Sequence, residues 1–220
     1  MLLKSVFIGF LSFSILHADT LKECKTEADK ISGCVVKEYD ENGKLERETP
    51  YKNGKKEGMT KWYRWNGNLM AEIPYQNGER EGMAKLYYEN GNLADEIPHK
   101  NGEREGIEKL YYENGNLWRE IPYKNGGREG IEKQYFENGN LMAEIPYLNY
   151  YFHGDMTYYT EDKKLLALLK VENGEFISGK CFNDRVLTDK EITDFIASGL
   201  KSIEEPINYL KEICLKSDSK

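Results

Sequence analysis

The chain has 220 residues, a formal net charge of -7 and a pI near 5.2. That balance argues against a nucleic-acid binder, which shows a basic footprint. Lysine and arginine are spread along the chain rather than gathered into runs, so a polybasic membrane patch is not expected either.

Residues 1–18 read as a secretory signal peptide. Lys4 gives a positive start, Val6 to Leu16 an apolar stretch, and Ala18 precedes the polar Asp19-Thr20. The apolar run is short for a membrane span, which needs roughly 20 residues. The expected protein is therefore exported, periplasmic or secreted. Residues 19–34 are expected to form a short helical cap. Thr20-Leu21-Lys22-Glu23 has capping-box spacing, which predicts a helix to about Ile31 that stops at Gly33.

Residues 35–179 are dominated by a 24-residue period. Asn-Gly falls at 42-43, 66-67, 90-91, 114-115 and 138-139, three residues after Tyr39, Tyr63, Tyr87, Tyr111 and Tyr135. Proline recurs at 50, 74, 98, 122 and 146, and Glu-Gly at 57-58, 81-82, 105-106 and 129-130. A fixed period of this size means an array in which each unit buries its apolar side against its neighbours. Two alternating segments joined by Asn-Gly read as a β-hairpin, because both turn residues tolerate positive φ. A second Asn-Gly at 53-54, 77-78, 101-102 and 125-126 reverses the chain again. The expected fold is all-β: an elongated antiparallel β-meander of about six hairpin repeats, roughly 55–60 Å long at ~10 Å per unit.

Strict alternation puts Met59, Met83, Ile107 and Ile131 beside the repeated tyrosines. It also aligns the leucines 45, 69, 93, 117, 141 and 165 with Ile73, Ile97, Ile121 and Ile145, and these rows together are the expected packed face. The opposite face is then expected to carry Glu72, Glu96, Glu120 and Glu144, with Trp62, Leu86, Leu110 and Gln134 beside Arg64, Tyr88, Tyr112 and Phe136.

The phrase Tyr-x-Asn-Gly-x-x-x-Gly, as in Tyr75 to Gly82 and Tyr123 to Gly130, followed by Tyr-Tyr-Glu-Asn-Gly-Asn-Leu, resembles the MORN repeat. The likeness is to the bacterial variant found in antitoxin-like proteins of the YwqK type, and is clearest from Tyr51 to Tyr147. Where that pattern often has histidine before the second glycine, this chain has glutamate in four copies and keeps only His153-Gly154. The resemblance implies a ribbon of stacked hairpins that binds other proteins or, in eukaryotic relatives, membranes. Its antitoxin-like branch implies neutralising a partner by binding it.

Residues 180–220 are expected to be a helical cap. Thr188-Asp189-Lys190-Glu191 is a second capping box, with Ile192, Phe195 and Ile196 at helical spacing and a stop at Gly199. Ser202 to Glu205 opens a last helix, with Pro206 in its first turn and Ile207, Leu210, Ile213 and Cys214 following. Four cysteines flank the array: Cys24, Cys34, Cys181 and Cys214. In an exported chain an even count points to disulfides, and proximity favours Cys24–Cys34 and Cys181–Cys214.

No sequence motif points to catalysis, a metal or a cofactor. His99 replaces a repeat tyrosine and reads as a structural position. The glutamates at 72, 96, 120 and 144 recur in every unit, which fits a solvated or salt-bridged ladder with Lys61, Lys85 or the arginines 80, 104 and 128 better than a paired-carboxylate site. The expectation is a non-catalytic protein that binds a protein partner along an open, aromatic-rich surface. A membrane lipid or glycan surface is the alternative. Trp62, Trp65, Tyr88, Tyr112, Trp118 and Phe136 are the candidate contacts, because aromatic side chains dominate interface energies.

Overall fold

A computed structural model describes residues 21–199 and 205–215; the signal-peptide stretch and Thr20 lie outside them. The repeats form one antiparallel sheet. Its six hairpins are Cys34–Tyr39 with Leu45–Lys52, Gly58–Tyr63 with Leu69–Gln76, Gly82–Tyr87 with Leu93–Lys100, Gly106–Tyr111 with Leu117–Lys124, Gly130–Tyr135 with Leu141–Leu148, and Gly154–Tyr159 with Leu165–Glu172. A last strand, Glu175–Cys181, closes the meander.

The two kinds of Asn-Gly turn differ. Between units both residues are left-handed, as at Asn77 (φ 52°) and Gly78 (φ 92°), which is the primed turn that matches strand twist. Within the first five hairpins only the glycine is, as at Gly91 (φ 86°), and in the sixth Lys163 (φ 66°) takes its place. There Asn90 instead accepts the N–H of Asn92 on its side-chain oxygen at 2.8 Å. The expectation of two positive-φ residues in the hairpin loop is corrected on this point.

Stitches run from each unit to the next. Asn77, Asn101 and Asn125 donate their N–H to Glu57, Glu81 and Glu105 at 2.7–2.8 Å. In the last unit Asn173 donates to Nδ1 of His153, so the histidine and the glutamates do one job. The glycine after each glutamate is fixed by its neighbour as well as its backbone. At Gly130 (φ 115°), a Cβ would lie 3.2 Å from Cγ of Pro122.

A β-bulge in every hairpin decides the faces. Pairing runs Ala84↔Ile97, Lys85↔Glu96, Leu86↔Asp95 and then Tyr87↔Leu93, so Ala94 has no partner of its own. The same shift recurs at Tyr39, Tyr63, Tyr111, Tyr135 and Tyr159. One extra residue reverses the alternation on that strand. The leucine column therefore shares a face with the tyrosines, the Met/Ile row, the lysines, the glutamates 72/96/120/144 and the prolines. The isoleucines 73, 97, 121 and 145 lie on the other face with Ala84, Trp62, Leu86, Leu110 and Gln134. The expected packed face, with leucines and isoleucines together, is thus overturned.

The isoleucine face carries the core, and at the C-terminal end two helices cover it. Helix α1 (Glu27–Ser32) precedes the sheet; α2 (Asp189–Gly199) and α3 (Glu205–Leu215) follow it. Ala143, Ile145, Met156, Leu169 and Val171 pack against Leu187, Ile192, Phe195, Ile207 and Leu210. The Thr188 capping box is formed, with Glu191 accepting the Thr188 N–H at 2.8 Å and Thr188 Oγ1 accepting that of Glu191. Ile192 and Phe195 are buried, whereas Ile196 remains exposed. Helix α1 starts later than expected, with Thr26 as N-cap and Asp29 completing the box. Glu23 instead bridges Val35 beside the sheet. The carbonyls of Ile31 and Lys30 accept the N–H groups of Asn53 and Gly54, so α1 supplies the first turn with the partners a preceding unit would give. The disulfides are Cys24–Cys34 and Cys181–Cys214, one at each end of the array.

Candidate functional site

The leucine–tyrosine face is the open one. Along it Tyr63, Tyr87, Tyr111, Tyr135 and Tyr159 donate to Glu48, Glu72, Glu96, Glu120 and Glu144 of the preceding unit at 2.8–3.1 Å. Lys85 and Lys37 pair with Glu96 and Glu48 across their hairpins. The expected ladder is therefore present with the lysines; the arginines lie on the other face. Burial and the accepting carboxylates push the hydroxyls of Tyr87, Tyr111 and Tyr135 up to about 12. Beside this ladder runs an uncovered apolar row: Met83, Ile107 and Ile131 are 40%, 51% and 54% exposed, paired in register with Pro98, Pro122 and Pro146.

The six aromatic candidates do not form one patch. Trp62 is half-buried on the isoleucine face, with the Arg47 guanidinium stacked 4.4 Å from its ring. Trp65 lies in a hairpin loop, 73% exposed, with Lys44 Nζ 5.6 Å above it. Tyr88 and Tyr112 are half-buried and donate to the carbonyls of Tyr111 and Tyr135 at 2.6 and 2.7 Å, so each ties its unit to the next. Trp118 occupies the extra bulge position and packs against Tyr112 at 5.9 Å. Phe136 packs at the margin of the core beneath Lys211 of α3.

The middle of the isoleucine face holds charges at positions that are small or apolar in neighbouring units. Thr60, Ala84 and Met156 are replaced by Glu108 and Glu132, and Ala71, Ala143 and Ala167 by Asp95 and Arg119. Glu108 is buried and accepts from Arg104 at 3.1 Å. Burial, with Glu108 beside it, pushes the Asp95 carboxyl up to about 7. His99 is buried too, its Nδ1 3.0 Å from the Ile97 carbonyl, and burial lowers its pKa. Glu132 is fully buried. Its Oε1 accepts from Arg119 and from Gln134 Nε2 at 2.8 Å, while Arg128 Nη1 stands 3.6 Å from Oε2. The sequence reading missed this cluster, although laying the units over one another at the 24-residue period exposes it.

Of these charges, Arg119, Arg128 and Glu132 form one end of a cavity of about 380 Å³ beneath α2 and α3, whose remaining wall includes Phe152, Met156, Tyr158, Phe176, Phe195 and Ile207. Among the described residues no group of three or more His, Cys, Asp and Glu side chains could hold a metal ion. Among them, too, no helix is long and apolar enough to cross a membrane.

A family model described as MORN repeat variant matches residues 35–53, 56–77, 80–101, 104–125 and 128–149. No curated protein matches the chain. Among solved structures, 34 chains match. One is described as "Crystal structure of GtfA/B complex bound to UDP and GlcNAc", at 11% identity and a TM-score of 0.23. The match covers 66% of this chain and 25% of that one, and a likeness so slight carries no argument about this protein.

Proposed function

Across residues 35–149 the chain belongs to the MORN repeat variant family, and from that premise we propose that it is a non-catalytic array that binds a protein partner through its open face. The observation that carries this reading is the row Met83, Ile107 and Ile131, left uncovered along the proline side of the sheet. Apolar side chains framed by tyrosines and by self-neutralised Lys–Glu pairs suit a protein interface, which combines an apolar centre with a polar rim. The same pairing of charges gives an anionic lipid surface little to attract. Trp65 extends the surface at the loop edge, and Trp62 and Trp118 stiffen the sheet from behind. Tyr88, Tyr112 and Phe136 support the surface chiefly by holding units and helices in register. Two disulfides favour an oxidising compartment, so the partner belongs to the cell envelope or its exterior. Binding that neutralises this partner is the antitoxin-like form of the proposal.

The test is affinity capture from envelope extract with the wild-type protein and with Ile107→Asp/Ile131→Asp, set against co-sedimentation with lipid vesicles and purified cell wall. Both substitutions are on exposed positions, so far-UV circular dichroism should be unchanged while capture of a defined protein falls at least tenfold. Retention by vesicles or wall without a captured protein, or equal capture by the variant, would overturn the reading.

A further inference from the structure

The cavity beneath α2 and α3 is independent of the open face and is built for a small molecule. Its volume, about 380 Å³, falls within the range of ligand pockets. Its polar end carries two guanidinium groups and one carboxylate, so one positive charge is left over beside an apolar chamber. Arg119 spends Nε and Nη2 on Glu132, and Arg128 Nη1 donates to Tyr147 at 2.9 Å. Each guanidinium has five N–H donors, so both retain capacity for an incoming acceptor. Glu132 Oε2 is fully buried and accepts no hydrogen bond. An incoming molecule therefore meets the arginines and not this carboxylate oxygen. Tyr158, Phe176 and Phe195 pack ring to ring on the far wall.

We infer that this cavity binds a single-chain carboxylic acid: its carboxylate on Arg119 and Arg128, its hydrocarbon tail among Met156, Tyr158, Phe176 and Phe195. An ammonium head is disfavoured, because two arginines flank the carboxylate it would seek.

Titration calorimetry of the oxidised protein with decanoic acid and decylamine, both below micellar concentrations, tests this. Decanoic acid should bind one to one. Decylamine should not bind. Along a series of unbranched acids affinity should rise roughly fourfold per added methylene until the chamber is full. Ile196→Trp, at an exposed position on the cavity wall, should abolish binding while the melting temperature is kept. Equal binding of decylamine or a flat chain-length series would overturn the inference. So would undiminished binding by a folded Ile196→Trp, or no binding by any acid. The ligand series needs no variant to fold.

Discussion

The face assignment can be tested with one pair of substitutions. Ile121 and Ile131 lie in adjacent strands of neighbouring units and would share a side under simple alternation. The bulges put them on opposite faces, Ile121 at 3% exposure and Ile131 at 54%. Ile121→Ala removes a side chain from a closed environment and leaves a cavity, which costs about 2–4 kcal/mol. Ile131→Ala gives up about half a side chain's burial with no enclosed void, so its cost is about 1 kcal/mol or less. The two should therefore differ by about 2 kcal/mol, or more than twentyfold in the unfolding constant. Urea denaturation followed by circular dichroism measures this, with hydrogen exchange reporting whether the loss spreads to adjoining units, as nearest-neighbour stability predicts. Equal costs, or a larger cost at Ile131, would refute the bulge and every placement that follows from it.

The raised hydroxyls of Tyr87, Tyr111 and Tyr135 make a second prediction. Their folded pKa exceeds the unfolded one, so their contribution is complete below pH 10 and is lost as pH rises towards 12. A triple Tyr→Phe variant should show a shallower alkaline decline in melting temperature than the wild type. Asp95 behaves in the same sense at lower pH: its carboxyl, at about 7, is favourable when protonated and a burden once ionised. Asp95→Asn should therefore gain stability over the wild type at pH 8 and lose that advantage by pH 4, as thermal melts across the range would show. Reducing the disulfides should cost about 3–4 kcal/mol for Cys181–Cys214 and about 2.5–3 kcal/mol for Cys24–Cys34, in line with loop separations of 33 and 10 residues. Near-UV circular dichroism before and after reductant, with Cys→Ser pairs as controls, separates the two.

Much of this molecule was legible because the repeat writes the same instruction several times. The period located both turns, the second capping box located α2, and the cysteine positions suggested the bridges. The faces were not legible, because no particular letter marks the extra bulge residue: the position after the repeated leucine is Glu46, Met70, Ala94, Trp118, Met142 or Leu166. A rule of alternation carried across it inverts everything beyond. The start of α1 slipped for a related reason. Thr20 and Thr26 both offer box spacing, and the bridge from Glu23 to Val35, beside the Cys24–Cys34 bond, left only the later one free to begin a helix. The cavity cluster was in the sequence throughout, as departures from the repeat rather than as the repeat itself.

Because the joints at residues 77–78, 101–102 and 125–126 are alike, the ribbon has no preferred length across them. Excising residues 82–105 would rejoin Glu81 to Gly106 with the same glutamate–glycine junction and the same turn partners, whereas removing one residue fewer would break both. Genes encoding such chains are free to shrink or grow by whole modules. Meanwhile α1 at one terminus and the α2–α3 pair at the other stay as fixed bookends, so reach along a binding partner becomes a quantity that evolution can adjust in discrete steps.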